Sequence, residues 1–210
     1  MNKLLKWGIV AFIALIVLVV IPSSSYNGLV RKSQACDQAW AQVQNVYQRR
    51  ADLIPNLVST VEGAANFEKS TLTQIAEARA SVGRVTIDAN HAPNDAARLQ
   101  EFDRAQGQLG TALSRLLVVS ENYPQLRASA NFSDLQTQLE GTENRISVER
   151  GNFNKTVQDY DTAIASFPAN VFAGMFHFQS KPYFTAAPTA QAAPEVHFNF
   201  GNNPATTPAK

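Results

Sequence analysis

Between residues 29 and 61, mostly hydrophobic positions recur every seven residues and are separated by polar ones. Two series with this period lie side by side on one face of a helix. They are Ser33, Trp40, Tyr47, Ile54 and Val61, and Leu29, Cys36, Val43, Arg50 and Leu57. A stripe of this kind is typical of a helix that packs lengthwise against other helices. The pattern therefore predicts a first long helix that belongs to a bundle.

A proline interrupts this first predicted helix at Pro55. Proline removes one backbone donor and crowds the carbonyl group four residues earlier, which is that of Ala51. We therefore expect the helix either to kink at Pro55 or to restart there, with Asp52 as the N-cap of its second part.

Three further helices are predicted downstream. One covers residues 67–82, and the next begins at a cap supplied by Asn94 or Asp95. That third helix should end at Tyr123, because the residue before a proline avoids the helical region. The fourth has the clearest repeat, with apolar residues at steps of seven: Phe132, Leu139, Ile146, Phe153 and Tyr160. Short connections favour antiparallel neighbours, so we expect an all-α fold built as an antiparallel bundle of three to four long helices.

The N-terminus carries a membrane signal. Lys3 and Lys6 precede an uncharged apolar run over 7–21. Counted from Leu4, the run is long enough to span a hydrocarbon core of roughly 30 Å. We interpret residues 1–25 as a transmembrane signal anchor that contacts membrane lipid.

A cleaved signal peptide is the alternative for this N-terminal segment. Ser23 and Ser25 are small enough to stand at the −3 and −1 positions of a cleavage site. With an uncleaved anchor, the small excess of positive charge at the amino end favours an N-terminus in the cytoplasm. The chain would then be a single-pass protein of the bacterial inner membrane, with its bundle on the periplasmic side.

The composition changes at residue 167, so we divide the chain into the anchor, a helical bundle over 26–166 and a C-terminal segment over 167–210. The last segment holds six of the ten prolines and seven of the twelve phenylalanines but only three charged residues. Its aromatic part, 172–184, needs a cover, which the bundle, a second copy or lipid could supply. The remainder is rich in alanine, proline and threonine, as in flexible tails, apart from a strand-like alternation over 196–200.

Charge and reactive side chains narrow the possible functions. A formal net charge of +1 argues against nucleic acid as a partner. The only cysteine, Cys36, lies on the apolar stripe, where we expect a buried small hydrophobe rather than a nucleophile. The three histidines, His91, His177 and His197, lack the spacing of metal ligands. We therefore predict no metal site, no cofactor, no catalytic residues and no enzymatic activity.

The polar cluster most open to a functional interpretation consists of Arg49, Arg50 and Asp52, just before Pro55. On a structural reading, Asp52 caps a helix and one arginine pairs with an acidic residue of a neighbouring helix. On a functional reading, the same charges contact another subunit or a partner, since arginine suits bidentate recognition. With three rings of the C-terminal segment, these residues make up the predicted interaction surface: Arg49, Arg50, Asp52, Phe172, Phe176 and Phe178.

Several ordered strings of this sequence resemble the LemA family of bacterial membrane-anchored proteins. They are YNGLV at 26–30, AW at 39–40, RRADLIPNLV at 49–58, AEAR at 76–79, LQTQLEGTENRI at 135–146 and FN at 153–154. The resemblance extends over about 4–200. It implies a helical bundle with an amino-terminal membrane anchor, and it brings no settled biochemical activity and no catalytic residues.

Two functional hypotheses remain open at this point. The first is a membrane-anchored scaffold or interaction protein of the bacterial envelope, which associates with copies of itself or with other envelope proteins. The alternative is a membrane-remodelling or lipid-surface-binding protein, in which the aromatic segment over 172–184 inserts into the headgroup layer.

Overall fold

The computed structural model describes residues 3–63, 67–85, 88 and 91–185, which contain six α-helices and no strand. The expected all-α fold is confirmed. The predicted strand over 196–200, the tail after 185 and His197 lie outside the described residues. The helices are α1 (Lys3–Glu62), α2 (Lys69–Arg84), α3 (Ala96–Ser120), α4 (Pro124–Arg127), α5 (Ala130–Ala165) and α6 (Ala169–Met175).

Helix α1 is continuous over 60 residues and contains both Pro22 and Pro55. The expected restart at Asp52 is therefore wrong. A proline inside a helix costs about 3 kcal/mol, whereas burial of a leucine or isoleucine side chain contributes roughly 1.5–3 kcal/mol. Ile54 and Leu57 flank Pro55 and are buried, so their packing outweighs the lost hydrogen bond.

The helices α1, α2, α3 and α5 run alternately up and down in the bundle. Contacts between α1 and α5 pair Cys36 with Thr156 and Arg50 with Glu143, so residue numbers rise along one helix while they fall along the other. Helix α2 folds back beside the end of α1 and packs on α3. The chain then returns to the level of Trp40, and α3 ascends beside α1. This is the antiparallel arrangement expected for helices joined by short connections.

Both heptad series of α1 and the series of α5 point into the core. All residues of the first two series are buried except the half-buried Ser33, and all five of the α5 series are buried. The core has a lower part around Trp40 and Phe153 and an upper part around Leu57 and Leu116. The seven-residue pattern thus identified the packed faces of the two longest helices correctly.

The predicted start of α3 is confirmed, and its end lies three residues before the predicted Tyr123. The Asp95 side chain accepts a hydrogen bond from the Ala97 amide at 2.8 Å and so acts as the N-cap. The helix ends at Ser120, and Pro124 opens the short helix α4, where its fixed φ suits a first turn.

None of the helices in the described part of the chain is both long enough and apolar enough to cross a membrane. Most side chains of the apolar run over 7–21 lie outside the described part. The transmembrane anchor stays a prediction.

Truncation of Phe153 to alanine should strongly destabilise the bundle. The Phe153 ring is fully buried and its centroid lies 5.6 Å from those of Trp40 and Phe184. We expect Phe153→Ala to lower the free energy of unfolding by about 3–5 kcal/mol, because it leaves a cavity in a close-packed core. Thermal unfolding of the full chain in detergent measures this change.

The matched control is Val148→Ala on the same helix, where the side chain is 59% exposed. This control should unfold close to the parent temperature. If Phe153→Ala also unfolds within about two degrees of the parent, this side of α5 is not the packed face.

Candidate functional site: a buried arginine and an aromatic outer face

Arg50 lies inside the bundle, with only 3% of its surface exposed. Its Nη1 donates to Glu143 Oε1 at 2.5 Å, and its Nη2 donates to the Gln106 carbonyl oxygen at 3.1 Å. The same Nη2 also donates to the side-chain oxygen of Gln106. One guanidinium group therefore joins α1, α3 and α5 at a single level of the bundle.

The surroundings of Arg50 offset the cost of burying its charge. An unpaired ion in a protein interior costs several kcal/mol, and a counter-ion with further hydrogen bonds reduces that cost. Glu143 supplies the opposite charge while keeping about half of its own side chain in solvent. The Tyr47 ring adds a face 5.1 Å from the guanidinium carbon. The Nε atom is the one buried side-chain nitrogen or oxygen of the described residues without a hydrogen-bond partner.

A half-open cleft of about 360 Å³ lies beside this arginine, between α1, α3 and α5. A second ion pair crosses it, with Arg150 Nη1 at 2.8 Å from Asp103 Oδ1. The two arginines and the two carboxylates therefore balance each other. Burial raises the pKa of the Tyr47 phenol above its usual value, so this hydroxyl stays protonated at neutral pH. The cleft has the character of a polar core rather than of a charged binding site.

The structure separates the three residues of the predicted polar cluster. Arg49 and Asp52 are exposed on the outer side of α1, whereas Arg50 faces inward. Asp52 accepts a hydrogen bond from Gln48 Nε2 at 2.7 Å, one turn earlier on the same helix. Pairing of an arginine with an acidic residue of a neighbouring helix, as the structural reading expected, is seen for Arg50 and Glu143.

The aromatic rings of the C-terminal segment differ in their exposure to solvent. Phe172 is half-buried, Phe176 is 47% exposed, and Phe178 is half-buried against the lower core. Phe176 and Phe178 both meet the Tyr26 ring edge-on, with centroids 4.9 and 5.8 Å away. Helix α6 is thereby attached to the lower end of the bundle part of α1.

A C-terminal turn at His177 directs the chain back to the bundle after α6. His177 has φ 58°, and the Phe178 amide donates to the Ala173 carbonyl at 3.0 Å. A left-handed residue followed by this bond is the Schellman ending of a helix, usually made with glycine. The turn explains why Phe178 packs inward while the residues just before it remain outside.

Residues 178–185 then run along α5 and are held by side chains of that helix. The Asn154 amide group donates to the Phe184 carbonyl at 2.8 Å and accepts from the Phe184 amide at 2.9 Å. The Tyr160 hydroxyl donates to the Gln179 carbonyl at 2.9 Å. Arg150 lies over the Phe184 ring at 4.4 Å. The bundle itself therefore covers Phe184 almost completely and Phe178 in part, whereas Tyr183 remains 40% exposed.

The first half of the C-terminal segment keeps an apolar side open. Phe167, Val171 and Met175 are 83%, 52% and 65% exposed. Val171 and Met175 lie one turn apart on one side of α6, and Phe167 precedes the helix, which begins at Ala169. Together with Phe176, the residue that ends α6, these exposed apolar residues are what we call the outer face of α6. Phe167, Val171 and Met175 were not among the predicted surface residues, although the four-residue step from Val171 to Met175 is typical of one helix side.

The reactive side chains do not form a chemical site in the described part of the chain. Cys36 is fully buried, its Sγ donates to the Thr156 carbonyl at 3.4 Å, and burial raises its pKa to about 11. His91 pairs with Asp88 on the surface, and His177 is exposed at the turn after α6. Among the described residues there is no group of three His, Cys, Asp or Glu side chains that could hold a metal ion.

Removal of the Glu143 carboxylate should destabilise the bundle more than an ordinary surface change does. We expect Glu143→Leu to cost about 2 kcal/mol of unfolding free energy, less than the roughly 3–5 kcal/mol for a fully buried pair, because Glu143 is half exposed. Adding Arg50→Met should restore part of that loss, since it removes the uncompensated charge. Denaturant unfolding of the full chain measures both variants.

Glu140→Leu on the same helix is the matched control, because Glu140 is exposed and bonds only to Gln136 among the described contacts. It should change stability little. Equal effects of Glu140→Leu and Glu143→Leu, or a further loss in the Arg50→Met double variant, would contradict this account of the ion pair.

Comparisons with known proteins agree on one family. The chain is 24% identical over 200 residues to magnetosome protein MamQ 2 of Paramagnetospirillum magneticum, covering 86% of this chain and 70% of that protein. It is 22% identical to magnetosome protein MamQ of Magnetospirillum gryphiswaldense (85% and 71%) and to protein LemA of Metamycoplasma hominis (77% and 69%). The LemA family model matches residues 39–198, a range that includes Arg50, Glu143 and Asn154. The chain therefore belongs to the LemA family.

Proposed function

We propose that this LemA family member is a membrane-anchored scaffold or interaction protein of the bacterial envelope that associates with copies of itself. The observation that carries the proposal is the continuity of α1, which extends without a break from Lys3 to Glu62. One helix thus includes the apolar run and the apolar stripe of the bundle. A domain held in this way keeps a fixed axis relative to its membrane segment.

The spacing of aromatic residues on α1 supports the anchor. Trp7 begins the apolar run and Tyr26 lies five residues beyond its end; their side chains are 74% and 41% exposed. They lie nineteen residues apart, which is about 28 Å along a helix, so the pair extends over most of the roughly 40 Å between the outer edges of the two headgroup layers. Tryptophan and tyrosine are enriched at both membrane–water interfaces. The small excess of positive charge at the amino end, with Lys3 and Lys6, favours an N-terminus in the cytoplasm and a bundle in the periplasm.

The outer side of α1 supports self-association. Five exposed amide side chains follow one another there at steps of three and four: Gln34, Gln38, Gln42, Asn45 and Gln48. We call this set the amide stripe. It carries no charge, so two copies would meet without like-charge repulsion, and amides can donate and accept across such a contact. Anchoring in one membrane raises the local concentration and lets weak contacts populate oligomers.

The chemistry of the described residues favours an interaction role over catalysis. The ionisable groups of the cleft are engaged with one another, and Cys36 is held as a buried thiol. Reactive cysteines need thiolate character and access to solvent. The proposal therefore assigns the function to outer surfaces and gives the polar interior a role in holding the helices in register.

Residues 1–25 should remain attached to the mature protein and hold it in the inner membrane. Alkaline carbonate should leave the chain with the membrane pellet, because a spanning helix is not released as a peripheral protein is. Intact-mass measurement should give the full chain. Protease added to spheroplasts should digest the bundle if it lies in the periplasm.

A mature terminus near Tyr26, or release of the chain by carbonate, would exclude the anchor. The same chain lacking residues 1–25 is the control, since it should appear in the carbonate supernatant. A bundle that resists protease in spheroplasts but not in lysed cells would place the domain in the cytoplasm.

Cysteine cross-linking in intact membranes tests self-association. Single cysteines at Gln38, Gln42, Asn45, Gln48 and Gln179 should give cross-linked dimers, because these positions are exposed on α1 or just after α6. Two of these cysteines in one chain should extend the dimers to a ladder of higher species. The native Cys36 should not react, since it is buried and its pKa is about 11.

Gln138→Cys is the matched control, an exposed glutamine on α5 that lies off the amide stripe. It should give few cross-links at the same expression level. Monomer bands at every α1 position and at Gln179, with a working positive control, would remove self-association from the function.

A further inference from the structure

The outer face of α6 is an apolar surface that the bundle leaves uncovered. Its residues Phe167, Val171, Met175 and Phe176 are between 47% and 83% exposed. On the opposite side of the helix, Ala173 is buried against the bundle. One side of α6 is therefore packed on the bundle, and the other side exposes apolar residues that another apolar surface could cover.

No charged residue occurs between Phe167 and Ser180. The polar residues in this stretch, such as Asn170, His177 and Gln179, are uncharged amides or a histidine. Contiguous apolar patches on soluble surfaces usually mark contact sites for proteins or membranes. The absence of lysine and arginine argues against attraction to anionic lipid by charge and leaves apolar burial as the driving force.

The position of α6 along α1 identifies the apolar surface that it can reach. Phe176 contacts Tyr26, which lies five residues beyond Ile21, the last residue of the apolar run. Five residues of helix rise about 7–8 Å. The headgroup layer on each side of a hydrocarbon core is roughly 5–8 Å thick. If α1 spans the membrane as proposed above, α6 lies at the height of the headgroups.

We propose that the outer face of α6 inserts into the headgroup layer of the leaflet from which α1 emerges. The proposal rests on the proposed anchor but not on self-association. A bundle that continues from a single spanning helix can still tilt together with that helix in any direction. A second apolar contact beside α1 fixes the direction in which the bundle leans, so α6 sets the orientation of the bundle on the membrane surface.

Fluorescence quenching by lipid tests this insertion. Val171→Cys, on the outer face (52% exposed), is compared with Val118→Cys, a valine of similar exposure (65%) near the C-terminal end of α3. Each full-length variant is labelled with a polarity-sensitive fluorophore and reconstituted into vesicles of phosphatidylethanolamine and phosphatidylglycerol. Some of the lipids carry bromine near the headgroup end of the acyl chain. Intact mass confirms one label per chain, so that the buried Cys36 does not contribute.

We expect bromine to quench the label at position 171 several-fold more than the label at 118, and iodide in the buffer to quench 118 several-fold more than 171. Flotation of the vesicles reports on the anchor separately. If the chain floats but the two labels respond alike to bromine, insertion of α6 is excluded and the anchor stands. If the chain stays in the aqueous fraction, both proposals fall.

A second copy is the other occupant that this experiment can detect. In that case position 171 would be shielded from iodide but not quenched by bromine, and unlabelled Val171→Cys would form disulfide-linked dimers. This result would show that α6 docks on protein and would overturn the proposal. Bromine quenching that is unchanged when the labelled chain is diluted with unlabelled parent supports lipid as the occupant.

Discussion

The buried indole of Trp40 is the contact on which the lower half of the bundle depends. Its ring lies 5.5 Å from Phe102 of α3, 5.6 Å from Phe153 of α5 and 6.1 Å from Phe184 of the C-terminal segment. Its Nε1 donates to the Asp88 carbonyl at 3.2 Å. Because one side chain of α1 joins every other part of this layer, displacing it would loosen three helices and release the segment that positions α6.

Helix faces could be predicted from the sequence because a seven-residue period records which side of a helix is packed. That period placed Arg50 among the buried positions, yet its partner could not be inferred. Glu143 is 93 residues away, and neighbouring acidic residues such as Glu140 share its helix. The choice between them depends on the rotation of α5 against α1. At Pro55, local propensity favoured a break, but burial of the flanking side chains kept the helix intact.

The C-terminal segment was less predictable because its conformation depends on single contacts instead of a period. Composition alone showed that its rings need a cover. Which rings are covered depends on the left-handed turn at His177 and on the paired hydrogen bonds between Asn154 and Phe184. Histidine is not a strong signal for such a turn, and an asparagine that mimics a peptide group leaves no pattern. Phe178 and Phe184 consequently pack inward, and α6 keeps an open side.

The geometry of α1 allows the two proposed surfaces to work together. At 3.6 residues per turn, the amide stripe lies on the side of α1 opposite the buried stripe, and Tyr26 lies roughly 100° from the middle of the amide stripe. Helix α6 therefore occupies a flank of α1 and leaves the amide stripe open. It also lies beside Tyr26, at the end of the bundle next to the proposed anchor, whereas the amides extend several turns beyond it. Lipid contact at the base would hold each copy at one inclination, and copies with equal inclination present their amide stripes at the same height.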